Sequence, residues 1–172
     1  MIEIKIDDAR VVDALERLSA SAANPRRALL AIGEGLVEST KRRFETSTAP
    51  DGTRWKPNSQ ATYLGMVNAF GKSYFGKSGR LNAKGATRAA GKKPLIGETR
   101  MLSTQINYEV NAEGLRVGSP MVYAAMQQFG GKKSRFPHLW GDIPARPFLG
   151  VSDSDADMIE RTVSEYLKNV VG

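Results

Sequence analysis

Between Thr53 and Gly97 the chain carries no Asp or Glu, yet nine Lys/Arg lie there: Arg54, Lys56, Lys72, Lys77, Arg80, Lys84, Arg88, Lys92 and Lys93. Glycines recur at 65, 71, 76, 79, 85 and 91, with few large apolar side chains between them. A stretch this poor in core-forming residues reads as a long basic glycine-rich loop over about 58–93, flexible or ordered by a partner. The hydrophobic core must then come from the flanks. Outside this segment sixteen basic residues face eighteen acidic ones, so the net charge of +7 belongs to the segment alone. Such local basicity suits something acidic, either nucleic acid or an acidic protein surface.

The flanks carry clear periodicities. Ile2, Ile4 and Ile6 alternate with polar residues, as in a half-buried strand. Asp7 or Asp8 can cap a helix with Val11, Leu15, Leu18 and Ala22 on one face. Asn24-Pro25 opens a second helix whose stripe is Leu29, Ile32, Leu36, Thr40 and Phe44. Lys41, Arg42 and Arg43 suit its C-terminal end and read as a solvated face. Ala49-Pro50-Asp51-Gly52 is a turn. Residues 98–106 read as a short helix or turn. Ile106, Tyr108 and Val110, then Leu115 and Val117, alternate about a turn at 111–114, which predicts a β-hairpin. Met121 to Phe129 reads as a short helix closed by Gly130-Gly131. Two prolines in residues 143–148 exclude a central strand and leave an edge or an extended arm. Ser152 or Ser154 caps the last helix, with Asp153, Asp155 and Asp157 at its positive end. Its buried face is Met158, Ile159, Val163, Tyr166, Leu167 and Val170. The sum is an α+β fold in one domain over 1–172: a small antiparallel or mixed sheet packed against two or three helices.

Chemistry is sparse. The stretch GKSYFGKS, Gly71 to Ser78, matches the letters of a phosphate-binding loop. Its context does not match, because no buried strand precedes it and no helix with an apolar stripe is legible after it. There is no cysteine, so disulfides and thiol chemistry are excluded. His138 is the one histidine; with Ser134 or Asp142 it sketches a triad, but no nucleophile-elbow pattern supports one, and a loop histidine between aromatics is the simpler reading. The Asp153–Asp157 acids lack the glycine and distal glutamate of a calcium loop. Trp55, Phe136 and Trp140 are read as loop anchors or as base-stacking platforms. No enzyme activity, cofactor or metal is expected. Neither a membrane span nor a signal peptide is legible, so the chain reads as soluble and non-secreted.

Four stretches together resemble the phage virion morphogenesis family: RRFETSTAPDGTRWKP from Arg42, PLIGETRMLSTQINYEV from Pro94, VGSPMVYAAMQQFGG from Val117 and IPARPFLGVSD from Ile143. YAAMQQFGG followed by IPARPFLG is the most specific pair. The chain departs from the family at Thr99-Arg100, where a Thr-Gly-like step is usual, and its 64–93 segment is long and rich in glycine. The resemblance implies structural work rather than catalysis. It implies a component that completes the head-proximal end of a tail or joins tail to head, in the virion, assembled in the bacterial host cytoplasm. Its partners would be itself, as a ring six-fold like the tail tube, the tail tube or sheath, and neck or head-connector proteins. In that setting Arg146, Phe148, Pro144, Pro147 and Trp55 are candidate subunit-interface residues, with Phe148 alternatively core beneath the last helix. Lys72, Lys77, Arg80, Lys84, Arg88, Lys92 and Lys93 would face DNA in a channel or an acidic neighbour.

Overall fold

A computed structural model describes residues 25–139 and 141–171. The expected strand at 2–6 and helix at 11–22 lie outside the described residues, as do Trp140 and the side chain of Val170. The described elements are α1 (Arg26–Thr46), α2 (Gln60–Asn68), a 3₁₀ turn (Lys72–Tyr74), α3 (Ala83–Ala90), α4 (Met101–Thr104), β1 (Asn107–Asn111), β2 (Gly114–Gly118), α5 (Ala124–Phe129) and α6 (Asp153–Val171). Helices with one antiparallel hairpin make this an α+β fold, as the periodicities predict. The chain forms two compact units.

The first unit contains residues 25–39 of the described chain, the hairpin and residues 151–171. Pro25 sits just ahead of α1, and its carbonyl accepts the amide of Leu29 at 3.0 Å. In the hairpin Tyr108 pairs with Val117 and Val110 with Leu115; these four are half-buried, while Asn107, Glu109 and Arg116 face solvent. The Asn111 side chain accepts the Glu113 amide at 2.9 Å and shapes the turn, beside an ion pair of Glu113 with Arg116. A lone hairpin is marginal in water, so it needs a helix beneath it. Gly33 of α1 supplies that contact: a methyl group there would run into the Tyr108 ring. The Tyr108 hydroxyl donates to Glu34 Oε1 at 3.3 Å, and Arg26 Nη1 donates to the Val110 carbonyl at 3.4 Å. Partial burial, followed by the Glu34 carboxylate, raises the Tyr108 pKa above its usual value. Gly35 similarly receives the Met158 side chain of α6. Ser152 caps α6: its hydroxyl accepts the Asp155 amide at 3.3 Å and donates to Asp155 Oδ2 at 2.7 Å, while its own amide donates to Oδ2 at 2.9 Å. Asp155 is thereby buried. Met158, Ile159, Tyr166 and Leu167 are half-buried as expected, but Val163 is exposed.

The second unit contains residues 40–106 and 119–150. Its core gathers Phe44, Ala49, Trp55, Ala89, Leu102, Ile106, Ala124 and Phe148. Here the structure corrects the expected glycine-rich loop. Residues 60–68 and 83–90 are helical. Ser59 caps α2 by accepting the Thr62 amide at 3.2 Å, and Asn82 caps α3 by accepting the Gly85 amide at 3.0 Å. The packing between them is aromatic rather than aliphatic: the Phe70 and Tyr74 rings lie 4.9 Å apart. Arg88 covers both rings, at 5.1 and 5.0 Å, and donates to the Tyr74 hydroxyl at 2.6 Å. Lys84 lies 5.0 Å from the Tyr74 ring. Cation–π contacts of this kind contribute about 0.5–1 kcal/mol each at exposed sites. The GKSYFGKS stretch follows a helix, α2, and spans the 3₁₀ turn and a tight turn closed by Gly76 N–H to the Arg80 carbonyl at 2.8 Å. No strand precedes it among the described residues, so it lacks the frame of a phosphate-binding loop.

Candidate functional site

The second unit is organised around the two-proline arm, Ile143 to Phe148. Gly131 and Ile143 exchange backbone hydrogen bonds at 2.9 and 2.8 Å, and the Arg146 amide donates to the Gln127 carbonyl at 2.9 Å. The arm can lie this close to the end of α5 because Gly130 has no side chain. A Cβ there would meet Ala145 N at 2.7 Å and the Ile143 carbonyl at 2.8 Å, and its φ of +73° favours glycine as well. Gln128 completes the attachment. Its Oε1 accepts the amides of Phe148 and Leu149 at 2.9 and 3.0 Å, and its Nε2 donates to the Leu149 carbonyl at 2.9 Å.

The other side of the arm is held by residues some 90 positions earlier. Arg146 is 6% exposed; its Nε donates to the Lys56 carbonyl at 2.7 Å and its Nη2 to the Pro57 carbonyl at 2.8 Å. Burial lowers its pKa from the ordinary arginine value, yet a guanidinium keeps its proton in a protein. Trp55 Nε1 donates to the Pro147 carbonyl at 2.7 Å. Arg43 Nη1 donates to the carbonyls of Phe148 and Gly150 at 2.9 and 2.8 Å. Phe148 is 0% exposed; the Phe44 ring lies 5.3 Å from it and 5.4 Å from Trp55 in an edge-on arrangement. Each such ring pair adds about 0.5–1.5 kcal/mol to the burial itself. Arg43, expected on a solvated face, is instead buried against the arm. Trp55 is an anchor of the core rather than a stacking platform.

Of the candidate interface residues, Trp55, Arg146 and Phe148 thus meet in one cluster inside the unit, while Pro144 and Pro147 are half-buried at its edge. The residues that sequence reasoning missed are Arg43 and Gln128. Gln127-Gln128 within the family-like stretch was the available signal. The basic residues separate into groups. Lys84 and Arg88 lie on the Phe70/Tyr74 pair, Lys72, Lys77 and Arg80 are exposed around the tight turn, and Lys92 and Lys93 donate to the carbonyls of Ile96 and Glu45, each at 2.6 Å. Phe136 and His138 pack edge-on with ring centroids 6.2 Å apart. Among the described residues, no group of three or more His, Cys, Asp or Glu is placed to hold a metal ion, and no helix is long and apolar enough to cross a membrane.

Beside the arm the unit carries a groove of about 680 Å³. Leu95, Ile96, Met101, Tyr123, Ile143 and Pro144 form its apolar floor, and Lys56, Lys92 and Lys93 line its edge. Asp142 is the one carboxylate in its lining, and Asp142 Oδ1 accepts the Lys133 amide at 2.8 Å. Nearby chain exposes large apolar side chains: Val122 is 98% exposed and Phe129 78%. Over the whole unit, seventeen Lys/Arg face four Asp/Glu, a net +13; the described part of the first unit carries nine Asp/Glu against five Lys/Arg.

The model of the phage virion morphogenesis family matches residues 6–168. The chain is 28% identical over 172 residues to the Mu-like prophage FluMu G protein 2 of Haemophilus influenzae, covering 99% of each chain. It is also 28% identical over 169 residues to tail completion protein S of Escherichia phage P2, covering 98% of this chain and 99% of that protein. No solved structure matches it. The three segments that meet at the arm, residues 43–57, 124–131 and 143–150, all lie in the stretches that carry the family resemblance.

Proposed function

The chain belongs to the phage virion morphogenesis family, and from that premise we propose that it is a structural tail-completion protein. In this reading it forms a ring, six-fold to match the tail tube, that finishes the head-proximal end of the tail and meets the neck or head connector. It resides in the virion at the top of the tail and assembles in the bacterial host cytoplasm. The observation that carries the reading is the end-to-end match with a tail completion protein.

The geometry is consistent with assembly work. The arm is stiffened by Pro144 and Pro147 and tied down by Arg43, Trp55, Gln128 and Arg146. A surface ordered before it meets a neighbour loses little entropy on contact. Trp55, Arg146 and Phe148 then serve the interface from within, by holding the arm's outer edge in place. Val122 and Phe129 are exposed among the described residues and would suit an apolar contact with a protein partner. The test is immunogold labelling of intact particles. A single labelled position between head and tail is expected; particles without label would contradict the proposal.

A second reading has its own support. Net charge of +13 on the second unit and the Lys84/Arg88 aromatic cluster suit a polyanion, including DNA in a channel. It requires salt-sensitive DNA binding that disappears when Lys72, Lys77, Arg80, Lys84, Arg88, Lys92 and Lys93 are neutralised. Undetectable binding at low salt removes it.

A further inference from the structure

Two surfaces of this chain complement each other. One is the groove beside the arm, apolar in its floor and edged by Lys56, Lys92 and Lys93. The other is the outer face of α6. Asp155, Met158, Ile159, Thr162 and Tyr166 turn inward along that helix, so Asp153, Asp157, Glu160 and Ser164, spaced by three or four residues, share the opposite, exposed stripe. Val163 is exposed at the border of this stripe.

We propose that the groove of one copy receives the acidic stripe of α6 from a second copy. The occupant is set by charge. The groove's lining sets the single carboxylate of Asp142, whose Oδ1 accepts a backbone amide, against Lys56, Lys92 and Lys93, so it keeps an excess of positive charge. The stripe presents three exposed carboxylates, Asp153, Asp157 and Glu160, along the N-terminal half of α6, with exposed Arg161 and Lys168 following towards its C-terminal end. Val163 can sit on the apolar floor while Asp157 and Glu160 reach the lysines at the edge. The contact joins two different surfaces, so it is head-to-tail, and repetition of such a contact closes a ring when the rotation allows. The inference rests on the ring reading above and names the surfaces that make the ring.

The test is a charge exchange read by native mass spectrometry of the full chain. One variant carries Lys56→Glu and Lys93→Glu, the two exposed lysines of the edge; Lys93 gives up its bond to the Glu45 carbonyl, while the half-buried Lys92 keeps its bond to the Ile96 carbonyl. The other carries Asp157→Lys and Glu160→Lys. Like charges placed opposite each other should weaken self-association at least about 100-fold in each variant. Mixed one to one, the two variants should assemble again, alternating, since every groove then meets an α6 of opposite sign. That rescue also shows that both variants fold. The wild-type oligomer should loosen as salt rises from about 0.05 to 0.5 M. Variants that stay assembled on their own, or a salt-insensitive oligomer, would overturn the proposed surfaces and leave the ring intact. A wild-type chain that stays monomeric at low salt would overturn the ring reading itself, and the surfaces with it.

Discussion

Arg146 donates from Nε to the carbonyl of Lys56 at 2.7 Å, a bond between residues 90 positions apart. Together with the bond from Nη2 to Pro57 at 2.8 Å it uses the planar fork of a guanidinium, which an ammonium cannot reproduce. Arg146→Ala should destabilise the second unit by about 3 kcal/mol, because two carbonyls lose a charged donor inside the fold. Arg146→Lys should recover less than half of that. Urea unfolding followed by tryptophan fluorescence measures both, since Trp55 sits in the same cluster.

Gln128 supports the arm from the other side. Gln128→Leu keeps the volume but leaves the Phe148 and Leu149 amides without their acceptor, which should cost about 2–3 kcal/mol. Gln128→Glu keeps the acceptor for both amides but sets a carboxylate oxygen against the Leu149 carbonyl, so it should destabilise while leaving the two amides bonded. Hydrogen exchange at the two amides reads the difference: both should be protected in the parent chain and in Gln128→Glu, and open in Gln128→Leu.

Two helical glycines should respond with opposite sign. Gly65 in α2 has open space where a Cβ would go, so Gly65→Ala should stabilise by about 0.5–1 kcal/mol through helix propensity. Gly33 in α1 lies under the Tyr108 ring, and Gly33→Ala should destabilise despite the same propensity gain. Thermal unfolding of the pair is the check.

Arg100, ahead of α4, has a left-handed backbone, with φ 54° and ψ 16°. A non-glycine residue there costs roughly 1–2 kcal/mol. Arg100→Gly should therefore stabilise, by about 0.5–1 kcal/mol after the added freedom of the unfolded chain. The melting temperature should rise by a few degrees.

Asp51 has its pKa lowered, first by the Thr53 hydroxyl bond at 2.7 Å and then by the Thr53 amide at 2.9 Å. A depressed carboxyl pKa favours the folded state above the unfolded value, and that contribution is lost as pH falls through the folded value. Thr53→Val removes the larger cause, so the Asp51 resonance should titrate at higher pH in that variant by carbon-detected NMR.

Much of this fold was legible from local pattern. The hairpin followed from alternation about 111–114, the cap of α6 from Ser152 and its acids, and the stripe of α1 from Ile32, Thr40 and Phe44. These signals are periodic or lie within one turn. The helices α2 and α3 were missed because their packing uses Tyr74, Phe70 and Arg88 rather than an aliphatic stripe, and because Gly65 and Gly85 lower the apparent propensity. Ser59 and Asn82 were the readable caps. The attachment of the arm was hidden for another reason: it joins Arg43, Trp55 and Lys56 to residues about 90–107 positions later, and hydrogen bonds to backbone carbonyls leave no sequence period. The resemblance picked out the segments that meet there, and core was one of the two readings of Phe148, but nothing in the sequence showed that Arg146 points inward.

Electron microscopy of lysates from a phage lacking this gene tests the completion role at the tail end. Filled heads beside detached or overlong tails are expected, with infectivity restored when the gene is supplied in trans. Normal, infectious particles in the absence of the gene would contradict it.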